Sequence, residues 1–303
     1  MMKSRCYLIA ILLGLSQVAG AFTRLSPERH HFLSIDGAIG YASLDNNSAD
    51  LQSGVGTAAN IGVGYRVYYN TFLFATGLEA HYLYNTHTMS SVQRQLDMVD
   101  TEGMPFTLLA DATQGNDVCH SLSLNIPVLF GWEYRRFYFI AGPKVSYNIF
   151  GQAESSAMLT TKGQYERYIG IFEDMPNHQL QTSPVTSGKQ PLSWNLDLLL
   201  HIELGARLGD LLFMSGADIP KPKHRFYVAL YADYGVLNIR NTSATGDRLG
   251  YRETAERRVE FYLTPAMMCN QLQDAAVHQY QVGVKATFLL ELPQHKECVI
   301  CKD

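Results

Sequence analysis

The chain has 303 residues, with 24 Lys plus Arg against 28 Asp plus Glu and a net charge of −4. That mild acidity, without a basic stripe, argues against nucleic acid as a partner. Mean hydropathy is near zero, and no run approaches the roughly eighteen apolar residues of a membrane-crossing helix.

The first predicted element is a secretory signal peptide, residues 1–21. Lys3 and Arg5 give a charged start, Tyr7 to Leu15 a short apolar run, and Ala19-Gly20-Ala21 a small-residue cleavage site. Cleavage after Ala21 is expected, leaving a mature chain from Phe22. Cys6 lies inside the removed segment, which argues against a lipid-modified terminus.

Eight alternating segments follow. The first, about Phe32 to Ser43, sets Leu33, Ile35, Ile39 and Tyr41 against Ser34, Asp36, Ala38, Gly40 and Ala42. The second, about Val55 to Val67, sets Ile61, Val63 and Tyr65 against Asn60, Gly62, Gly64 and Arg66. A short turn near Tyr69-Asn70 leads to the third, where Phe72, Phe74, Leu78, Tyr82 and Tyr84 oppose Ala75, Gly77, Glu79 and His81. The fourth and fifth give the strongest signal. Leu122, Leu124, Ile126, Val128, Phe130, Trp132 and Tyr134 share one parity, then Arg135-Arg136 turns the chain. Phe139, Ala141, Pro143, Val145, Tyr147 and Ile149 follow, opposite Lys144, Ser146 and Asn148. The sixth spans about Trp194 to Leu208, the seventh about Arg225 to Asn238, the eighth about Tyr280 to Leu290. Strands of soluble proteins average five or six residues; strands crossing a bilayer need about nine to eleven, alternating apolar-out and polar-in.

The links after the second and fourth segments are short. Those after the third, fifth and seventh are long: His87 to Val118, Gly151 to Pro191, and Thr242 to His278. Short periplasmic turns opposite long extracellular loops fit an outer-membrane barrel. The link Gly209 to His224 departs from that rule, and Arg257 to Leu263 reads as further strand, so ten strands stay open beside eight.

A soluble eight-stranded barrel is the structural rival. Side-chain size separates the two, because an eight-stranded bore is only just wide enough for side chains to fill. The large apolar parities therefore point out, toward lipid. The inward set carries charge: Asp36, Arg66, Glu79, His81, Glu133, Lys144, Asp197, His201, Glu203, Arg207, Asp233 and Lys285. Such groups need partners. They read as an interior plug of ion pairs or, alternatively, an ion path; Glu79, His81, His201 and Glu203 also have metal-ligand chemistry without a fixed geometry. Aromatic residues near strand ends, Tyr65, Tyr68, Tyr69, Phe72, Trp132, Tyr134, Phe137 and Tyr138 on the short-turn side, read as an interfacial girdle. No cofactor is expected.

Three stretches carry a family resemblance: L-N-I-P-V-L-F-G-W-E-Y at Leu124 to Tyr134, F-Y-F-I-A-G-P-K-V-S-Y at Phe137 to Tyr147, and Y-A-D-Y-G-V-L-N-I at Tyr231 to Ile239. With them the chain resembles the outer-membrane β-barrels of Bacteroidota, PorT-like barrels related in architecture to the OmpA transmembrane domain. Q-V-G-V-K-A-T-F at Gln281 to Phe288 looks like the closing-strand signal read by barrel-insertion machinery. The resemblance implies a fold and a location, with secretion or partner binding in a few members, and no catalytic residues.

Residues 22–292 are thus expected to form the barrel and 293–303 a periplasmic tail. Cys119 and Cys269 both fall at the outer end, where a bridge is one expectation. Cys298-Val299-Ile300-Cys301 in the tail reads as a local disulfide or an idle segment. His87, His120, His178 and His278, with Asp97, Asp100, Glu173 and Asp174, show no catalytic spacing. The expected role is non-enzymatic: a lipid-embedded anchor whose loops, including Tyr165, Tyr168, Phe172 and Tyr262, bind a protein or ligand. A small pore and a surface hydrolase are the alternatives.

Overall fold

The computed structural model describes residues 29–46, 51–100, 102–166, 170–173, 175, 178, 180–192, 196–208, 224–239, 246–254, 259–269 and 276–292. The signal segment, the 209–223 link, Tyr168 and the tail with Cys298 and Cys301 lie outside them. The strands are β1 (Arg29–Asn46), β2 (Leu51–Tyr69), β3 (Phe72–Met89), β4 (Val92–Val99), β5 (Pro105–Tyr134), β6 (Phe137–Tyr165), β7 (Ile171–Phe172), β8 (Thr182–Thr186), β9 (Gln190–Pro191), β10 (Leu196–Arg207), β11 (His224–Gly235), β12 (Leu249–Glu253), β13 (Val259–Leu263) and β14 (Val277–Glu291).

Eight of them close a ring in the order β1-β2-β3-β5-β6-β10-β11-β14, with β14 pairing back to β1. Every neighbouring pair is antiparallel. The barrel is eight-stranded: Val259–Leu263 is indeed strand, but it pairs with Leu249–Glu253 in a separate two-stranded sheet. At the β1–β14 seam Gly40 faces Gly283. A Cβ on Gly283 would sit 2.2 Å from the Ile39 carbonyl oxygen and 2.6 Å from Gly40 Cα, so the ring closes there only with glycine.

The period-two pattern sets the faces. Ser34, Asp36, Ala38 and Ala42 are buried in the bore, while Leu33, Ile35, Ile39 and Tyr41 face outward, Ile39 at 70% exposure. Ile61, Val63, Leu78, Phe130, Trp132, Leu200, Ile202, Leu204, Leu230 and Val284 complete an apolar belt on the outside. On β3 the belt runs from Phe72 to Tyr82, a height of ~25 Å at ~3.3 Å per residue and ~40° tilt. Tyr69, Phe72, Trp132, Tyr134 and Phe137 are exposed at its short-turn edge. Tyr68 and Tyr138 are a correction to the girdle: both point inward and are buried. Tyr138 shares the parity of Lys144, so its ring fills the bore.

Two tight turns close this end. Asn70 and Arg135 adopt φ of 55° and 58°, a left-handed conformation that Asn tolerates and Arg adopts at a cost of ~1 kcal/mol.

At the other end the long connections are folded. β5 and β6 run 30 and 29 residues and continue as one ladder from Tyr134–Phe137 to Phe106–Tyr165. Two register shifts, at Thr113/Asn116 and Leu122/Ser123, reverse the parity of each strand. Gln114 takes a positive φ at the first, and at the second Ile149 and Phe150 both face out. Beyond them the outward residues turn polar: Gln152, Glu154, Ser156, Thr160, Lys162 and Gln164. β4 extends this sheet along β5, and β7, β8 and β9 along β6. Its inner face carries two apolar clusters, Ala110, Ala112, Ala157 and Leu159 with Leu249 and Leu263, then Phe106, Leu108, Tyr165 and Leu180.

An arginine replacing Leu230, mid-strand and 65% exposed, is expected to destabilise the barrel in lipid by ~2–4 kcal/mol. The same arginine at Gln164 on the extension should change stability by less than ~0.5 kcal/mol. Reversible urea unfolding in lipid vesicles measures both.

Candidate functional site

The bore is layered. Next to the short turns Phe32, Tyr68, Leu73, Tyr138, Ile140, Tyr227 and Leu289 pack as one cluster. Phe32 and Tyr68 meet edge to face at 5.4 Å, as do Tyr138 and Tyr227 at 5.2 Å. Arg225 stacks 4.6 Å from the Phe32 ring and 5.4 Å from the Tyr68 ring. Glu133 accepts hydrogen bonds from Tyr227 and lies 3.6 Å from Arg207.

Above this lies a dense charge layer. Lys144 is 1% exposed and reaches Glu79 at 3.1 Å and Asp233 at 3.3 Å. Lys285 reaches Glu79 and Glu203 at 3.3 Å each and Asp36 at 3.7 Å. Arg66 lies 3.6 Å from Asp36 and 3.8 Å from Glu203. His201 bridges Asp233 through Nδ1 at 2.5 Å and Glu203 through Nε2 at 3.1 Å. Four carboxylates (Asp36, Glu79, Glu203, Asp233) thus meet three cations (Arg66, Lys144, Lys285) and the His201 ring. Hydroxyls and an amide complete the set. Thr287 and Ser34 donate to Asp36 at 2.6 and 3.0 Å, Gln281 to Asp233 at 2.5 Å, and Tyr138 to Glu203.

The next layer is amide-rich. His81 Nδ1 lies 3.2 Å from the Ser123 hydroxyl. Asp197 accepts from Gln279 at 2.6 Å and from the Leu198 and Leu237 amides. A cavity of about 10 Å³ bounded by His81, Leu83, Leu199, Asp233 and Gln281 has room for one water. A collar of Ala42, Leu44, Ala58, Leu83, Cys119, Ala153, Ile239, Met267 and Val277 then closes over it. Among the described residues, side chains pack the bore in these layers, as expected for eight strands. The molecule is a membrane-spanning β-barrel.

Within it the structure brings together eight of the twelve inward groups singled out from the sequence, Asp36, Arg66, Glu79, Lys144, His201, Glu203, Asp233 and Lys285. It sets Glu133 and Arg207 apart near the short-turn end and His81 and Asp197 in the amide layer. The four residues with metal-ligand chemistry face ion-pair or hydroxyl partners, and among the described residues no three His, Cys, Asp or Glu side chains gather as a metal site. Ser34 was legible on the inner parity, but its part in the network, with that of Ser123, Gln281 and Thr287, was not.

The mouth was not anticipated. Segment 246–269, as far as described, folds over the collar: the β12–β13 hairpin, then a 3-10 turn at Ala266–Met268. Arg248 forms a bidentate pair with Asp117, at 2.6 and 2.8 Å, and donates to the Thr264 carbonyl at 2.7 Å. The Ala266 amide and Ser155 hydroxyl also donate to Asp117. From the rim, Arg94 pairs with Asp247 at 2.5 Å, donates to the Leu249 carbonyl at 3.0 Å and lies 4.9 Å from the Tyr251 ring.

Two expectations are corrected here. Cys119 and Cys269 are buried and not joined. Cys119 packs in the apolar collar, where burial and Asp117 push its thiol up to about 12, while the Cys269 thiol turns to the Ala266 carbonyl at 3.4 Å. Tyr165 and Phe172 are not open binding residues. Tyr165 stacks on Phe106 at 5.0 Å and meets Phe172 edge-on at 5.6 Å inside the extension; Tyr262 is exposed.

No family model and no curated protein matches the chain. Similar solved structures include the attachment invasion locus protein Ail of Yersinia pestis, with 10% identity over 85% of this chain and 98% of Ail at a TM-score of 0.25. The outer membrane protease OmpT of Escherichia coli has 6% identity over 89% of this chain and 99% of OmpT, also at 0.25. The Pseudomonas putida toluene transporter TodX has 8% identity over 88% and 90%, at 0.19. Likeness at these TM-scores carries no argument about fold or function.

Replacing Lys144 with alanine removes the cation shared by buried Glu79 and Asp233. A loss of ~3–5 kcal/mol is expected, read as a lower urea midpoint for folding into vesicles.

Proposed function

We propose that the protein is an integral outer-membrane barrel, exported by its signal peptide, that acts without catalysis by holding a folded extension outside the membrane to bind a protein or ligand. The filled bore carries this reading. A barrel packed with an ion-paired network offers no conduit, so the remaining surface for function is the β4–β5–β6–β8 extension with its hairpin. That extension is rigid for a membrane-protein loop, because continuous ladders and two apolar clusters order it. Its outward polar face and exposed Tyr251 and Tyr262 offer contacts that lipid does not cover. The resemblance to PorT-like barrels of Bacteroidota supports a place beside a secretion or surface complex, with insertion by the barrel-assembly machinery. A porin-like role is disfavoured by the ion pairs across the bore.

The test compares full-length protein with a variant in which short turns replace 91–114 and 152–189, both solubilised from outer membrane and captured with their partners for mass analysis. Loss of partners from a variant that still inserts is expected, along with no ohmic conductance from the full-length protein in planar bilayers. Partners retained by the shortened barrel, or a steady conductance, would overturn the reading.

A further inference from the structure

Asp117 is the common anchor of the mouth. Its two oxygens hold both nitrogens of the Arg248 fork and the Ala266 amide, and Arg248 in turn holds the Thr264 carbonyl. One carboxylate on β5 thus ties down the start of the hairpin, its end and the turn beyond. Directly opposite Asp117 in the β3–β5 register stands His87. It is 1% exposed, and neither ring nitrogen has a hydrogen-bond partner. It lies five residues beyond Tyr82, outside the apolar belt. The charged groups facing it are Asp117 from β5 and Arg248 from the hairpin segment.

We propose that the β12–β13 strand pair and the Ala266–Met268 turn form an acid-released lid on the barrel mouth, with the Asp117–Arg248 pair as its latch and His87 as its trigger. A proton taken up by the ring creates a second buried cation beside a carboxylate already bound by Arg248. The imidazolium competes for Asp117, the guanidinium loses part of its hold on that carboxylate, and the hairpin loosens from the wall. Burial, opposed by Asp117 and reinforced by Arg248, lowers the His87 value from 6.5 to about 4 in the closed state. Because the closed-state value is the lower one, the open state binds more protons. Closure is fully favoured above about 6.5 and is lost progressively as pH falls toward 4. The collar and the charge layer lie deeper, so the lid opens the mouth without opening the bore.

Hydrogen exchange of the full chain in lipid nanodiscs, read by mass, tests this. Exchange of the β12–β13 amides is taken relative to the β14 amides of the same molecule, which cancels the intrinsic effect of pH. In the wild type this ratio should rise tenfold or more between pH 7 and pH 4.5; a constant ratio overturns the proposal. His87→Gln should hold the ratio at its pH 7 value throughout. Asp117→Asn should show the raised ratio already at pH 7 and no further rise with acid. An acid rise undiminished in His87→Gln, or hairpin protection in Asp117→Asn equal to wild type at pH 7, also overturns it. Should either variant lose β14 protection, the wild-type ratio decides alone.

Discussion

The width of an eight-stranded ring constrains everything else in this molecule. Side chains must fill the bore and cannot exceed it. Bulky apolar groups are therefore pushed outward, and the inward positions hold glycine, alanine, serine and a limited set of long polar chains. Four carboxylates, three cations and the His201 ring fit because they pair with one another: Lys144 between Glu79 and Asp233, Lys285 among Glu79, Glu203 and Asp36, His201 between Asp233 and Glu203. Each member has at least two partners in the network, so each removal takes a contact from at least two buried groups. The network closes the bore and fixes the register of the strands that carry it, since Asp36, Glu79, Lys144, Glu203, Asp233 and Lys285 come from six different strands.

The same ladder then serves two solvents. Within the belt, leucine, isoleucine, phenylalanine and tryptophan face lipid and polar groups face the bore. Past the two bulges of the β5–β6 hairpin the preference inverts: threonine, glutamine, lysine and glutamate face water, and alanine, leucine and aromatic rings turn inward. An added residue in each strand re-aims its side chains with only a local break in the ladder. The outer half thereby gains a core of its own, with the β12–β13 hairpin as its filling.

Much of the barrel was legible in the sequence because lipid makes the outer parity uniformly apolar over ten residues or more. The hairpin at Arg135-Arg136, the eight ring strands and the inward parity of Lys144, His201, Asp233 and Lys285 all follow from that contrast. The extension was not legible. In water a strand needs no strict alternation, and the shifts at Gln114 and Ile149–Phe150 reverse the parity that does exist, so Gly151 to Pro191 reads as loop. Tyr68 and Tyr138 were read by residue type as interfacial, although parity already placed Tyr138 beside Lys144. The Asp117–Arg248 latch joins residues 131 positions apart and left no local signal.

The central claim is that one continuous hairpin passes from lipid into water around a closed bore. Spin labels placed singly along β6, from Phe139 to Gln164, test it most directly by comparing access of oxygen and of a water-soluble nickel chelate in lipid vesicles. Labels at Phe139, Val145 and Tyr147 should be reached by oxygen and shielded from nickel. Labels at Ser156, Thr160 and Gln164 should show the reverse, with the change falling at the Ile149–Phe150 bulge. Uniform nickel access along the whole strand would contradict the account.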